Sequence, residues 1–397
     1  MSFPWQTLAL NPLTAFGLIL ALGVLGGQIA KRIAHLPSVT GYILTGLIIG
    51  PSGLGLIQHD ILSEASLFSD LALGLALFEL GRRVDLSWLN RERTLLLTSL
   101  ITSTLLFTGL FGLLLAFKLQ YAPAALLAAA GVSSSAPILL EITRETHAEG
   151  QVTERLLATA GLNGLFSLVA FGLALSYSHF ASAADVESVF LRPSWLVLGS
   201  AALGLIAGLV AIRLNAWLSG RQREAQWVLL FAMIALVVGL AEQMAMMPAM
   251  ALLVFGLATR NLQSGNTLTD PTLLARSSFF FVAFFVASGA QLVPSELVRI
   301  WPLALAFVLL RGVLAMLPWS VAARSNGLTS KRGALLGLAL TPMGSGTQAL
   351  MLLAPSTLLS SQSSMLMPAT LAVLCILELI GPLTSRFALQ QAGETHE

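Results

Sequence analysis

One cysteine, Cys375, stands in 397 residues, so no internal disulfide can form and no compartment follows from redox. Charge is nearly as scarce. Asp, Glu, Lys and Arg make up 10% of the chain, against about 25% in a soluble protein. That excludes an ordinary water-soluble domain. Histidine is limited to His35, His59, His147, His179 and His396, all in loops, at the loop side of helix ends or in the tail. None makes a metal-spaced pair or a nucleophile-and-base arrangement, and no phosphate-binding loop is present. An enzyme is not expected, nor is a cofactor, and a net charge of +2 spread over loops gives no reason to expect a nucleic-acid partner.

What the chain has is apolar sequence: 56% of it is hydrophobic, with a mean hydropathy of +0.84. A membrane-crossing helix needs about 20 such residues. The pattern predicts an all-α polytopic membrane protein with thirteen transmembrane helices. They lie near 13–30, 38–57, 63–81, 94–117, 121–142, 154–178, 194–217, 225–242, 245–260, 275–293, 298–322, 330–353 and 364–385. No basic region precedes the first apolar run, so no removable signal peptide is expected.

The basic residues set the orientation. Seventeen of the 21 lysines and arginines fall in loops after odd-numbered spans or in the tail, among them Lys31, Arg82, Arg144, Arg221, Arg324 and Arg386. Lys118, Arg192 and Arg299 fall on the other side, and Arg311 lies inside a span. By the positive-inside rule this puts the N-terminus outside and the C-terminus in the cytoplasm. One membrane domain over residues 1–390 and a short tail over 386–397 are expected, with no soluble domain.

Two spans are interrupted. The fifth contains Gly131-Val-Ser-Ser-Ser-Ala-Pro137, and the twelfth contains Thr341-Pro-Met-Gly-Ser-Gly-Thr-Gln348. Proline removes a backbone donor and clashes with the preceding turn. Broken backbone at membrane depth is tolerated only where protein covers it or it lines a cavity. Each interruption alone reads equally as a kink. Seven spans separate them, so they run in opposite directions, and inverted broken helices point to a transport site. Arg311, flanked by apolar residues for more than two turns on each side, is suited to neutralise facing helix C-termini.

Further segments are patterned. They are Gly41-Tyr-Ile-Leu-Thr-Gly-Leu-Ile-Ile-Gly-Pro-Ser-Gly-Leu54, Leu77-Phe-Glu-Leu-Gly-Arg-Arg-Val-Asp85 and Phe284-Phe-Val-Ala-Ser-Gly-Ala-Gln-Leu292. With the two interrupted spans and Arg311, they resemble the membrane domain of the cation:proton antiporter superfamily. The resemblance is to its Kef-type and bacterial sodium/proton exchanger-like branch, over nearly the whole length. It implies inverted repeats with two crossed discontinuous helices, the fifth and twelfth, and a core plus a dimerisation domain. It also implies elevator-type exchange of a monovalent cation (Na+ or K+) for protons by a homodimer in a bacterial inner membrane.

The departures matter as much. The family's sixth span carries Asn-Asp, Gln-Asp or Asp-Asp, whose aspartate holds both cation and proton. Here the stretch is Thr159-Ala-Gly-Leu-Asn-Gly-Leu-Phe166, so Asn163 stands at the first position and Gly164 at the aspartate. Gly346 stands where the twelfth span often has Glu, and Arg83 replaces an acid at the end of the third. An antiporter needs a group that takes either a proton or a cation, which neutral oxygens cannot do. The expected ligand set is Ser133, Ser134, Ser135, Asn163, Gly164, Arg311, Thr341, Ser345 and Thr347. Asp70, Glu79 and Glu141 are candidate proton- or cation-carrying acids. Glu242 and Glu378 also lie in spans, and any of these acids could have inherited the role. Helix-end acids such as Glu79 and Glu141 also read as partners of Arg82 and Arg144.

Three functions stay open on this sequence. One is a cation:proton antiporter with a relocated acid. Another is a transporter of an anionic or neutral solute that uses Arg311 and the half-helix ends. The last is a non-transporting sensor or scaffold.

Overall fold

The computed structural model describes residues 12–33, 36–57, 66–180, 191, 194–217, 223–263, 278–351, 353 and 365–395. Among these residues every regular element is helical. In chain order they are α1 (Pro12–Ile33), α2 (Ser38–Ile49), α3 (Ser66–Arg82), α4 (Leu86–Arg91), α5 (Arg93–Ala116), α6 (Tyr121–Ala130), α7 (Ala136–Glu145) and α8 (Gln151–Phe180). Then come α9 (Ser200–Trp217), α10 (Arg223–Gln243), α11 (Pro248–Leu262), α12 (Ser278–Ala290), α13 (Pro294–Val321), α14 (Ser330–Ala339), α15 (Ser345–Met351) and α16 (Leu366–Ala392).

Among the described residues, seven helical stretches are long and apolar enough to cross a membrane, within α1, α5, α8, α9 with its preceding π-turn, α10, α13 and α16. α13 displays the logic most clearly. Phe307, Arg311, Ala315 and Trp319 recur every fourth residue and are buried, while Leu305, Leu309, Val313, Leu317 and Val321 follow the same period and are exposed. Residues four apart share a helix face. An exposed aliphatic stripe of this length is unfavourable in water and at home in lipid.

The helices pack in two sets. α3, α9, α10 and α11 lie together, and α1, α2 and α12 join them through α3. On the other side α13 packs on α5, α14 and α16, with α6 and α8 alongside. Glycine permits the closest approaches. A side chain at Gly46 on α2 would meet the Val286 carbonyl oxygen of α12 at 2.0 Å, and one at Gly289 on α12 would meet the Ile43 carbonyl oxygen of α2 at 2.0 Å. The GYxxxGxxxG pattern is thus a backbone-to-backbone seam.

Some boundaries differ from the sequence reading. The second span ends as helix at Ile49, and the chain turns through Gly50–Leu54. A short helix, α4, fills the loop before the fourth span; Asp85 caps it by accepting from the Ser87 and Trp88 amides. In the twelfth span the helix is broken over 341–344 and resumes at Ser345, so Gly346 and Thr347 are helical. Thr347 donates its amide to the Gly344 carbonyl at 2.8 Å, which closes that first turn.

Candidate functional site

In the fifth span the helix stops at Ala130 and restarts at Ala136. Pro137 falls at the start of α7, where a missing amide hydrogen costs nothing. It opens the second half rather than kinking a continuous helix. Ser133–Ser135 between the halves are in extended or irregular backbone.

The two breaks are bonded to each other. The Ser135 amide donates to the Pro342 carbonyl at 2.9 Å, and the Ser134 hydroxyl donates to the Leu340 carbonyl at 2.6 Å. Arg311, 1% exposed, joins them from α13. Its guanidinium donates to Gly131 O, to Ser133 O at 2.7 Å, to Leu340 O at 3.2 Å and to Thr341 O at 3.1 Å. These are carbonyls at the C-terminal ends of α6 and α14, which carry partial negative charge and lack helical partners. Hydroxyls complete the capping: Ser167 donates to Ala129 O at 2.7 Å and Ser385 to Ala339 O at 2.9 Å. Thr341 Oγ1 bonds Leu338 O and Thr384 Oγ1, each at 2.8 Å.

A cavity of about 480 Å³ lies against the breaks. Ser133–Pro137, Gly164, Ser167, Gly344, Gly346 and Thr347 line it, together with Asp70 of α3, Glu242 of α10, and Met246–Ala249 at the junction of α10 and α11. Most of the remaining wall is aliphatic. The serine hydroxyls here are oriented. Ser133 Oγ donates to Ala130 O at 2.9 Å and Ser134 Oγ to Leu340 O, so their protons are committed to carbonyls. A hydroxyl that has given its proton away presents lone pairs. These are ligands for a cation rather than for an anion.

The residues singled out by sequence separate into groups. Ser133, Ser134, Ser135, Gly164, Thr347 and Asp70 come together at the cavity. A side chain at Gly164 would meet Leu253 Cδ1 first, at 3.3 Å, so this position opens on the cavity. Asn163 does not line it. Its Oδ1 accepts from Ser99 Oγ at 2.9 Å and Ser103 Oγ at 3.0 Å on α5, while Nδ2 is buried with no hydrogen-bond partner among the described residues. Arg311 and Thr341 lie behind the breaks. Glu79 pairs with Arg82 at 2.8 Å and Arg83 at 3.3 Å, and Glu141 pairs with Arg144 at 2.5 Å, so both acids are held in ion pairs away from the cavity. The Ser345 side chain lies outside the described residues.

Sequence reasoning named Glu242 only as one of several acids within spans, and it missed Ser167. Glu242 lines the same cavity as Asp70, and Ser167 both caps α6 and lines the wall. An acid at a span end was visible for Glu242. Nothing local pairs it with a residue 172 positions earlier.

Comparison with known proteins finds relatives of this chain and of its fold. A sequence model of the transmembrane sodium/hydrogen exchanger family matches residues 17–391. Over 330 residues the chain is 26% identical to the Na+/H+ antiporter NhaS5 of Synechocystis, covering 77% of this chain and 45% of that protein. The chain thus spans less than half the length of that relative. It is 23% identical over 325 residues to the high-affinity Na+/H+ antiporter NhaS3 of the same organism, covering 70% of this chain and 69% of that one. The fold is similar to the sodium proton antiporter MjNhaP1 of Methanocaldococcus jannaschii, with a TM-score of 0.65 at 20% identity over 96% of this chain and 95% of the other.

Proposed function

We propose that this chain, which belongs to the transmembrane sodium/hydrogen exchanger family, exchanges a monovalent cation, Na+ or K+, for protons at the cavity between its two broken helices. The observation that carries the reading is the cavity's chemistry. Hydroxyl lone pairs of Ser133 and Ser134 and the carboxylates Asp70 and Glu242 face one space, while the guanidinium of Arg311 is turned away to four carbonyls. That arrangement attracts cations and offers an anion little. The same feature weakens the reading of an anionic-solute transporter built on Arg311.

In this proposal the chain forms one membrane domain of thirteen spans in inverted repeats. The fifth and twelfth spans are its crossed discontinuous helices. Under the positive-inside rule Asp70 and Glu242 sit toward the outside, so the cavity opens outward, with the C-terminus in the cytoplasm of a bacterial inner membrane. The helix set carrying the breaks is the moving core of an elevator, and the α1–α3 and α9–α12 set is the dimerisation scaffold of a homodimer. Gly164 stands where an ion-binding aspartate was expected, so the cavity keeps the scaffold of the site without that carboxylate.

The test is direct. Protein in liposomes loaded with a pH-sensitive dye is challenged with Na+, K+ or Li+ across pH 6–9. Cation-driven proton movement is expected; its absence with every cation over that range overturns the reading.

A further inference from the structure

One buried acid is used by nothing described so far. Glu378, at the middle of α16, is 2% exposed. Its two carboxylate oxygens share the hydroxyl of Ser288 on α12, at 2.7 and 2.8 Å. Ser288 is one helical turn from Phe284, which lines the cavity, and residues four apart share a face. The carboxylate also approaches the breaks. A side chain at Gly344 would lie 2.8 Å from Ser135 Oγ and 3.6 Å from Glu378 Oε1, so both atoms flank the same bare backbone position. Ser135 and Gly344 are cavity wall. Glu378 therefore stands one layer behind the wall, at the point where the two broken helices meet.

We propose that Glu378, held by Ser288 beside Ser135 and Gly344, is the carboxylate that exchanges a monovalent cation for a proton, the role that no acid fills at Gly164. The inference rests on the cation-for-proton reading above and names the group that performs it. Its logic mirrors that of Arg311. The guanidinium answers the C-terminal ends of α6 and α14, and the carboxylate lies beside the residue that precedes the N-terminal end of the ten-residue α7, which carries partial positive charge. An acid inside a membrane span is by default a functional group.

Asp70 and Glu242 do not compete for this role. Asp70 is half-buried and Glu242 exposed, at the mouth, where their charge concentrates cations. Other titratable groups on α16 and on the helices packed against it have partners of their own or stand elsewhere on those helices. Glu296 and Arg299 pair with each other at the start of α13, and Arg386 lies about two turns further along α16. Arg311 is on the carbonyls, Glu141 is with Arg144, and Glu145 is with Ser38 and Lys31. Arg155 is near Glu92, Glu154, Lys331, Arg332 and Tyr121 are exposed, Tyr42 lies on α2, and Cys375 is one turn away on α16 itself. In the exchange the carboxylic acid releases its proton to one side as the carboxylate takes one cation, so the charge at the site is the same before and after.

Reconstituted full-length protein tests this with three variants. Glu378→Gln is expected to lose more than about tenfold of Na+- or K+-driven proton movement, and to lose any rise in unfolding temperature that Na+ gives the parent protein in detergent. Glu378→Asp should recover part of both. Ser288→Ala removes the hydroxyl that both carboxylate oxygens share, so the pH at which exchange is half-maximal should shift. Exchange in Glu378→Gln within about twofold of the parent overturns the assignment and leaves the cation-for-proton reading standing. If Glu378→Gln fails to fold, an unmoved pH profile in Ser288→Ala overturns it instead. A parent protein that neither moves protons nor is stabilised by Na+, K+ or Li+ overturns both readings.

Discussion

The guanidinium of Arg311 and the carbonyl oxygen of Gly131 are hydrogen-bonded although 180 residues separate them in the chain. With the bonds to Ser133, Leu340 and Thr341, one side chain on α13 holds the cut ends of two helices. Arg311→Ala leaves those carbonyls unpaired in a dry interior. A loss of about 3 kcal/mol or more is expected, read as a large drop in unfolding temperature in detergent. Arg311→Lys keeps the charge but not the planar fork, so it should recover only part of the loss.

Gly164→Asp introduces a carboxylate where the cavity has room for it, since the nearest obstacle is the tip of Leu253. The variant should fold with an unfolding temperature close to the parent's. A new charge facing a bound cation across a partly desolvated gap contributes on the order of 1–2 kcal/mol, about a tenfold gain in affinity. Titrating Na+ against unfolding temperature for both proteins checks this; equal cation response would mean the position does not face the ion.

Asp70→Asn and Glu242→Gln remove charge from the mouth of the same cavity. The expected effect is a several-fold rise in the KM for the cation with little change in maximal rate. The difference from the parent should shrink as ionic strength rises, because salt screens partly exposed charges. Initial rates in liposomes at low and high salt separate this from a structural defect, which salt would not correct.

The far end of the chain braces the helix that carries Gly164. The Glu394 carboxylate accepts from the Val152 and Thr153 amides at 2.8 Å each and from the Thr153 hydroxyl at 2.9 Å, at the N-terminus of α8. Anionic caps at that position are favourable for both the orphan amides and the helix dipole. Glu394→Ala should cost about 1–2 kcal/mol and speed hydrogen exchange at Val152 and Thr153 by about tenfold or more.

Asp85 predicts where pH does not act. Its carboxyl is lowered from 3.8 to about 2, first by the Ser87 hydroxyl, then by the Trp88 amide and Arg260. A depressed carboxyl contributes stability that is fully present above its unfolded value and lost as pH falls through the folded one. Asp85→Asn should therefore lower the unfolding temperature by the same amount from pH 5 to pH 9. The gap should narrow only below about pH 4. Thermal melts of both proteins over that range decide it.

Much of the architecture was legible in advance. Apolar runs mark helices because a span must be long and uncharged, and Ser133–Ser135 with Pro137 mark a break because both are written into a few adjacent residues. The exact starts of the second halves were less legible: Pro137 reads as a breaker until a helix is seen to begin at Ala136. The candidate site was legible in outline only. The three serines and Gly164 were recognisable, whereas Asn163 looked like their neighbour in the site and instead turns its amide to Ser99 and Ser103.

The sequence by itself determined that this protein is helical, lives in a membrane, interrupts two of its spans and carries one arginine deep in a third. Those properties follow from local composition and spacing, and each can be judged within a window of some twenty residues. Only the tertiary structure decided which acids face the cavity, which are tied up in ion pairs, and that Glu378 meets Ser288 beside Gly344. Such meetings depend on how each helix is rotated about its axis and on how closely glycines such as Gly46 and Gly289 let two backbones approach. A rotation of one residue, 100° on an α-helix at 3.6 residues per turn, would move an acid from the cavity to the lipid without changing a letter of its surroundings in the chain.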